Sequence, residues 1–412
     1  MKLHQNYARL ALVVICLVLV WTAAGECRGK SPVSDGYQAA YRYLGNSANN
    51  DDRDGLYNSL QGIANGNPAQ GHPYWYFSKN IDSNRNTYLF RVPYTEHLAH
   101  RFSYQKRKVR LPGGSRVCEH VGDIDYHVYK GVGYIVAGYD ECGDRHGRIA
   151  FFKADKINGA EGVLAPEAVM DVSGVQGKGA PWVSVRGDGR IYSSSGSGDN
   201  SELIFEYHVD WEAVHRGNRP RYTFRPIFLK NRDGSPARMT YKQGADFSSD
   251  DRLFYLSTGY LKKATQRLTV FRVSDGNRWY LEKASKQRTA PFRFEAEYYW
   301  HEPQGISYFD MNGVSPFHPK MRRGELHVVL LNNYKSRDDK VWIKHYTSIV
   351  PVEPGENIQN VYYDKWNGHG LWNGGIMVLA PGVHRRGNLR LNHDLRRVKI
   401  TTVSGTARIP AR

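Results

Sequence analysis

A short strand motif centred on glycine recurs along this chain and constrains the fold more than any other feature of the sequence. Its fullest form is WHEPQGISY at residues 300–308, where a Gly-Ile pair follows several polar side chains. Earlier variants lie at residues 61–64, 121–124, 182–185 and 243–246. Each variant precedes an apolar strand rich in aromatic residues, which is typical of paired β-strands. Repetition of one strand motif predicts a repeat architecture.

The third strand of each unit shows the clearest alternation of apolar and polar residues in the chain, a pattern typical of β-strands. Equivalent aromatic positions recur roughly every 60 residues, at Phe90, Phe152, Tyr207, Phe271 and Tyr346. A unit of a few short antiparallel strands cannot bury both of its faces alone, whereas radial stacking of such sheets covers them. The sequence therefore predicts an all-β fold, a five-bladed β-propeller of antiparallel sheets, over residues 61–350.

Composition fits a globular, β-rich array, because 40% of the 412 residues are hydrophobic and 13% are aromatic. A disordered chain would have fewer of both. The formal net charge of +17 favours an anionic partner such as an acidic glycan or a cell-surface polymer. The alternative is that the excess of Lys and Arg only keeps the protein soluble.

The two ends of the chain differ from the repeats. Residues 1–25 have a basic start, an apolar run at 10–20 that is too short to span a bilayer, and small residues at 22–25, which predicts a signal peptide. We therefore expect a secreted or periplasmic monomer with no transmembrane segment after cleavage; an uncleaved anchor is the alternative. Residues 26–60 form a lead-in segment that could supply a closing strand, and the basic residues 351–412 could complete the ring instead.

Export makes the cysteines informative, because an oxidising compartment permits disulfides. Removal of the signal peptide leaves Cys27, Cys118 and Cys142. Cys118 precedes the first strand of the second unit and Cys142 follows its second strand, so the two thiols lie at the same edge of an antiparallel pair. We predict a disulfide between Cys118 and Cys142, with Cys27 free or paired between molecules. The alternative is that both cysteines are unpaired and buried.

Candidate functional residues are chosen by position, because the first strands of propeller blades line the central channel. Polar groups that begin these strands converge from units far apart in sequence. Candidates for a catalytic role are Glu302, His301, Asp123, His120 and Asp246, and candidates for ligand binding are Gln61, Glu119, Trp182, Gln243 and Gln304, with Asp125 beside them in the second unit.

These residue types are compatible with several kinds of chemistry. Two carboxylates at a channel mouth suit glycoside hydrolysis, in which one protonates the leaving oxygen and the other acts as base or nucleophile. A His in a cationic cleft suits a polysaccharide lyase. Glu, Asp and His could also hold a divalent cation such as Ca²⁺ at the axis, although a His ligand favours a softer metal. Alternatively, the polar groups only hydrogen-bond to one another and to channel water.

Other classes lack their sequence signatures. The chain has no phosphate-binding Gly-rich loop that ends in Lys-Ser or Lys-Thr and no Cys-x-x-Cys pair. A nucleotide-dependent enzyme is therefore not expected. Exposed aromatic residues beside Arg and Lys would suit nucleic acid as well as sugar, but export favours a glycan and we expect no nucleic-acid partner.

Several of the repeated segments resemble those of a known group of propellers. They are VGDIDY at 121–126, QGADFS at 243–248, EPQGI at 302–306, GELHVVL at 324–330 and KHY at 344–346. Together they are similar to the secreted five-bladed propellers of teichoic-acid-associated proteins and phage receptor-binding proteins. The resemblance covers roughly residues 62–346 and implies recognition of a surface glycan.

The resemblance does not settle an activity. Gln304 stands where an acid would be needed to form a carboxylate pair with Glu302. We therefore expect a secreted propeller that binds an anionic glycan or cell-surface polymer at its channel face. A polysaccharide lyase or glycoside hydrolase that acts on an acidic polysaccharide is the first alternative, and a protein-interaction scaffold is the second.

Overall fold

A computed structural model describes a large part of the chain. The residues described are 40–43, 60–81, 86–96, 103–111, 120–140, 146–177, 179–195, 201–259, 267–286, 301–309, 325–332, 340–347, 349–352, 355, 357, 376–379, 382–383, 399–402 and 407–408. The predicted signal peptide, the predicted disulfide from Cys118 to Cys142, and Cys27 lie outside these residues.

The described elements are almost all β-strands. In chain order they are β1 (Ala40–Tyr43), β2 (Leu60–Asn65), β3 (Tyr74–Ile81), β4 (Asn86–Pro93), β5 (Gln105–Val109), β6 (His120–Tyr129), β7 (Val132–Asp140), β8 (Gly147–Lys153), β9 (Val163–Leu164), β10 (Ala168–Asp171), α1 (Ser173–Gln176), β11 (Ser184–Val185), β12 (Ile191–Ser193), β13 (Leu203–Val209), α2 (Trp211–His215), β14 (Tyr222–Lys230), β15 (Lys242–Phe247), β16 (Leu253–Thr258), β17 (Arg267–Arg272), β18 (Arg278–Lys286), β19 (His301–Tyr308), β20 (Leu326–Asn332), β21 (Lys340–Thr347), β22 (Ile349–Val352), β23 (Ile376–Leu379), β24 (Gly382–Val383), β25 (Lys399–Thr402) and β26 (Ala407–Arg408).

Most strands pair with their neighbours in sequence and form antiparallel units of four. Within the described residues the units are β2 to β5; β6, β7, β8 and β10; β11 to β14; β15 to β18; and β19 to β21 with β1. We number them first to fifth. The inner strands β2, β6, β11, β15 and β19 contact one another in that order, and β19 contacts β2 again. This arrangement confirms the predicted all-β propeller of antiparallel sheets.

The N-terminal strand lies at the outer edge of the fifth unit. β1 pairs antiparallel with β21, in a register that places Tyr41 opposite Tyr346. A strand from the start of the chain therefore belongs to the same sheet as residues 301–347. The described C-terminal strands pair differently, since β22, β23 and β25 form a parallel sheet of their own.

Two neighbouring units are also joined at their outer strands. β14 of the third unit pairs in parallel with β18 of the fourth, which merges the two units into an eight-stranded sheet. In the first unit β5 pairs in parallel with β9, a short strand from the second. These pairings cover edges that would otherwise expose unpaired amides.

The hydrophobic core lies between the faces of adjacent sheets. In the second unit the middle strand β7 is buried along nearly its whole length, because the sheets stack on both of its faces. The outer strand β14 has two exposed side chains, Thr223 and Phe224. Among the described residues, no helix is long and apolar enough to span a bilayer.

The repeated glycine is explained by crowding at the centre of the ring. Four inner strands have a register shift next to Gly62, Gly122, Gly244 or Gly305, as at a β-bulge. A Cβ atom at Gly122 would lie 1.7 Å from the carbonyl oxygen of Pro181, and one at Gly244 would lie 2.3 Å from that of Gln304. Only glycine allows the inner strands to approach so closely.

Candidate functional site

The carboxylate of Asp123 lies at the centre of the inner strands. Its Oδ1 accepts hydrogen bonds from the amides of Ile63 (3.2 Å) and Ile124 (2.9 Å). Its Oδ2 accepts from the amides of Ala245 (3.2 Å) and Ile306 (3.1 Å). One fully buried side chain therefore connects β6 to β2, β15 and β19. Burial raises the pKa of Asp123, and three of these amides act in the opposite direction.

Asp125 and Asp246 connect the remaining inner strands in a similar way. Each accepts the amide of the residue that follows it, at 2.6 and 2.7 Å respectively. Asp125 Oδ2 also accepts from the amide of Val185 in β11, at 2.5 Å. Asp246 Oδ2 accepts from the amide of Tyr308 in β19, again at 2.5 Å. The two carboxyls are thus held in place by backbone amides from neighbouring units.

The buried hydroxyl of Ser184 lies beside this carboxyl pair. Ser184 donates to Oδ1 of Asp246 at 3.4 Å, and hydrogen bonding from the same hydroxyl counteracts the rise in the pKa of Asp125. Burial raises the pKa of Asp125 to about 7. The pKa of Asp246 is also raised, by burial first and then by the charge of Asp125.

Asp125 and Asp246 line a pocket of about 330 Å³ that we call the mouth pocket. The pocket lies at the C-terminal ends of the inner strands β2, β11, β15 and β19, and residues 125–128 of β6 also line it. Both aspartates are nearly buried. The wall also contains side-chain amides, aromatic rings and charged groups, namely Asn65, Asn67, Gln70, Tyr126, His127, Arg186, Asp251 and Tyr308.

Arg186 of the pocket wall is paired with acidic side chains. Arg186 Nε lies 3.4 Å from Oδ2 of Asp251 and 4.0 Å from Oδ2 of Asp188. His127 packs on Trp211 with ring centroids 4.5 Å apart. Burial lowers the pKa of His127 to about 4, so this imidazole is neutral at neutral pH.

The predicted site residues that the structure describes at the starts of the inner strands do not line this pocket. Glu302 is nearly buried and accepts a hydrogen bond from Nε2 of Gln304 at 2.8 Å. Gln243 donates to the carbonyl oxygen of Gly259 at 3.2 Å. Burial lowers the pKa of His120 to about 4.

Trp182 is fully buried between the third and fourth units, and its Nε1 donates to Oγ of Ser194 at 2.8 Å. Gln61 is half-buried in β2. Glu119 lies outside the described residues, and His301 is described only as part of the backbone of β19.

The structure thus brings together only part of the predicted set. Asp123 lies at the axis and Asp246 in the mouth pocket, and the roles assigned to the other residues stay predictions. Arg186, Asp251 and Tyr308 were not predicted, because the sequence candidates begin the inner strands, whereas these three residues lie at or beyond the strand ends. A signal for them was present, because polar and aromatic residues also end the inner strands, as Ser307-Tyr308 does in the most complete motif.

A metal at the axis also stays a prediction. Among the described residues, no cluster of three or more His, Cys, Asp or Glu side chains is arranged to hold a metal ion.

No protein-family model matches this chain, and no curated protein matches it. Several solved structures resemble it in fold. The GH43_1 enzyme from Xanthomonas citri, solved in complex with xylose, has a TM-score of 0.43 and 11% identity over 74% of this chain and 90% of its own. A mutant α-L-arabinanase from Cellvibrio cellulosa has a TM-score of 0.40 and 12% identity over 70% and 91% of the two chains.

The propeller of Dos1 is a third similar structure, with a TM-score of 0.32 and 10% identity over 69% of this chain and 68% of that one. The class of this protein follows from its own strand pairing. That pairing defines a β-propeller.

Proposed function

We propose that this protein is a carbohydrate-active propeller that binds a saccharide in the mouth pocket and hydrolyses a glycosidic bond there. The observation that carries the proposal is the pair of buried carboxyls, Asp125 and Asp246, in the wall of a pocket otherwise rich in hydrogen-bonding groups and aromatic rings. Pockets of a few hundred Å³ with a small number of placed polar groups are typical of ligand sites.

The protonation of the pair suits this chemistry. Glycoside hydrolysis needs one carboxylic acid to protonate the leaving oxygen and one carboxylate to act as base or nucleophile. With the pKa of Asp125 raised to about 7 and that of Asp246 raised as well, the pair retains a proton near neutral pH. A pair of carboxyls that holds one proton supplies both roles.

The pocket wall supports saccharide binding. Tyr126 stacks on Tyr76 with ring centroids 5.8 Å apart, and Tyr308 stacks on Tyr255 at 5.5 Å. Their rings are therefore held in fixed orientations beside the amides of Asn65, Asn67 and Gln70. Ring faces for stacking and amides for hydroxyl groups are the usual contacts of a sugar.

A second candidate function is retention of an anionic cell-surface glycan without hydrolysis. It is favoured by the net charge of +17 and by the outer strand β5, where Lys106, Arg107 and Lys108 follow one another and are half-buried. Such a surface would attract a polyanion in a salt-dependent manner. We further propose that the ring has five blades, that residues 1–25 direct export, and that the mature protein is a monomer.

Incubation with a panel of neutral and acidic polysaccharides tests both functions. Release of new reducing ends by the wild-type protein, lost in both Asp125→Asn and Asp246→Asn, is the expected result. Asp233→Asn, in the exposed turn that begins at Asn231, serves as control and should keep full activity. Unchanged hydrolysis in both pocket variants would refute the assignment, and retention of acidic polysaccharides without any hydrolysis would favour the second candidate.

A further inference from the structure

The mouth pocket has a local charge that differs from that of the whole protein. Among its described lining residues, Arg186 is the one Arg or Lys side chain, whereas Asp125, Asp246 and Asp251 supply three carboxyls. His127 adds no positive charge at neutral pH, because burial lowers its pKa to about 4. A chain with a net charge of +17 therefore has a mouth pocket without excess positive charge, because Asp251 balances Arg186 and the Asp125–Asp246 pair retains a proton near neutral pH.

The guanidinium of Arg186 already forms ion pairs within the protein. Asp251 Oδ2 lies 3.4 Å from Arg186 Nε, and Asp188 approaches the same atom at 4.0 Å. The Arg186 side chain is only 16% exposed, so this ion pair is partly shielded from water and from salt. A carboxylate on a bound sugar would have to compete with Asp251 for Arg186 while lying near the other aspartates.

We propose that Asp251 is a specificity-determining residue, which neutralises Arg186 so that the mouth pocket accepts neutral saccharides and rejects those that carry a carboxylate. The inference rests on the proposed function and narrows its substrate class. Charge repulsion of this kind selects between partners as effectively as attractive contacts do. Any attraction of the whole protein for polyanions then belongs to its outer surface.

The backbone at Asp251 makes a clean substitution available. Its φ of 57° lies in the left-handed region, where Asn and Asp are the best tolerated residues after glycine. Its Oδ1 accepts a hydrogen bond from the amide of Gly187 at 3.4 Å, which the amide oxygen of Asn would also accept. Asp251→Asn should therefore delete the charge and leave the turn unchanged.

Matched oligosaccharide pairs test the inference. Each pair has the same linkage and differs only at C6, as gluco-, manno- and galacto-oligosaccharides differ from the corresponding uronates, and affinities are measured by calorimetry. We expect the wild-type protein to prefer the neutral member. In Asp251→Asn, Arg186 loses its nearer carboxylate and keeps that of Asp188 at 4.0 Å, and it should raise the affinity for the uronate by about tenfold, the gain expected for one hydrogen bond to a charged group. The affinity for the neutral member is measured in parallel, and the expected result is a change in the ratio of the two affinities in favour of the uronate.

Two control variants identify the cause of the gain. Asp250→Asn removes a charge from the same turn, where Asp250 faces Arg252 at 3.8 Å instead of Arg186, and should behave like the wild type. Adding Arg186→Gln to Asp251→Asn should abolish the gain.

The possible results separate the two proposals. Equal affinity of the wild type for both members, or an unchanged preference in Asp251→Asn, would overturn the specificity inference and leave saccharide binding in place. Absence of binding to every oligosaccharide would remove the proposed function and the inference together.

Discussion

Replacement of Asp123 by Asn tests whether one side chain holds the inner strands together. An amide group has the same shape as the carboxylate but presents an NH₂ group in place of one oxygen. If Oδ1 is retained as the acceptor, the amides of Ala245 and Ile306 lose their partner; if Oδ2 is retained, those of Ile63 and Ile124 do. Either orientation leaves two buried amide donors unsatisfied.

The expected loss of stability follows from that count. A buried donor without an acceptor costs about 1–3 kcal/mol, so two such donors should lower the free energy of unfolding by about 2–6 kcal/mol. Native proteins have only about 5–15 kcal/mol of stability, and the variant should therefore be severely destabilised.

Urea unfolding followed by tryptophan fluorescence measures this loss. Asp233→Asn, which changes an exposed turn, is the control and should stay close to the wild type. A loss of less than about 1 kcal/mol for Asp123→Asn would show that the four amides have other partners and that Asp123 is not the structural centre of the ring.

Two further predictions concern pH and the glycine motif. Because burial raises the pKa of Asp125 to about 7 from an ordinary 3.8, the folded state binds its proton more tightly than the unfolded state. This contribution to stability should be complete below about pH 4 and be lost as pH rises to 7. Urea unfolding at several pH values should therefore show that the free energy of unfolding decreases less over this range in Asp125→Asn than in the wild type. An identical decrease in both proteins would contradict the raised pKa of Asp125. Gly122→Ala should destabilise the protein by at least about 1–3 kcal/mol, since its Cβ would lie 1.7 Å from Pro181 O. Gly174→Ala in α1 is the matched control, because a Cβ added there would meet no atom within 4 Å. Equal melting temperatures for the two variants would refute the crowding argument.

The identity of the repeating unit could be predicted from the sequence. Strands such as β7, β16 and β17 are recognised by apolar and aromatic residues within a short segment, because β-structure places alternate side chains on opposite faces. Antiparallel pairing between neighbours in sequence follows from the short loops. The repeated motif also identified Gly122, Gly244 and Gly305 as equivalent positions. It did not explain why these positions are glycine.

Closure of the ring could not be derived in this way. Both the lead-in segment and the C-terminal segment offered strands, and each had acceptable composition. The pairing of β1 with β21 joins residues about 300 positions apart, at a distance where loop closure costs almost the same for many alternative partners. Local sequence therefore does not distinguish between them.

The candidate site, like the fold, could be predicted only in part from the sequence. The sequence by itself determined which acidic side chains begin or follow the glycine bulges, and so named Asp123, Asp125 and Asp246. Only the tertiary structure decided that Asp123 is surrounded by four amides, that Asp125 and Asp246 share a pocket, and that Asp251 faces Arg186. The physical reason is that charge, burial and hydrogen bonding of a carboxyl depend on atoms within a few ångströms, and those atoms come from strands that are neighbours in the ring but distant in the chain.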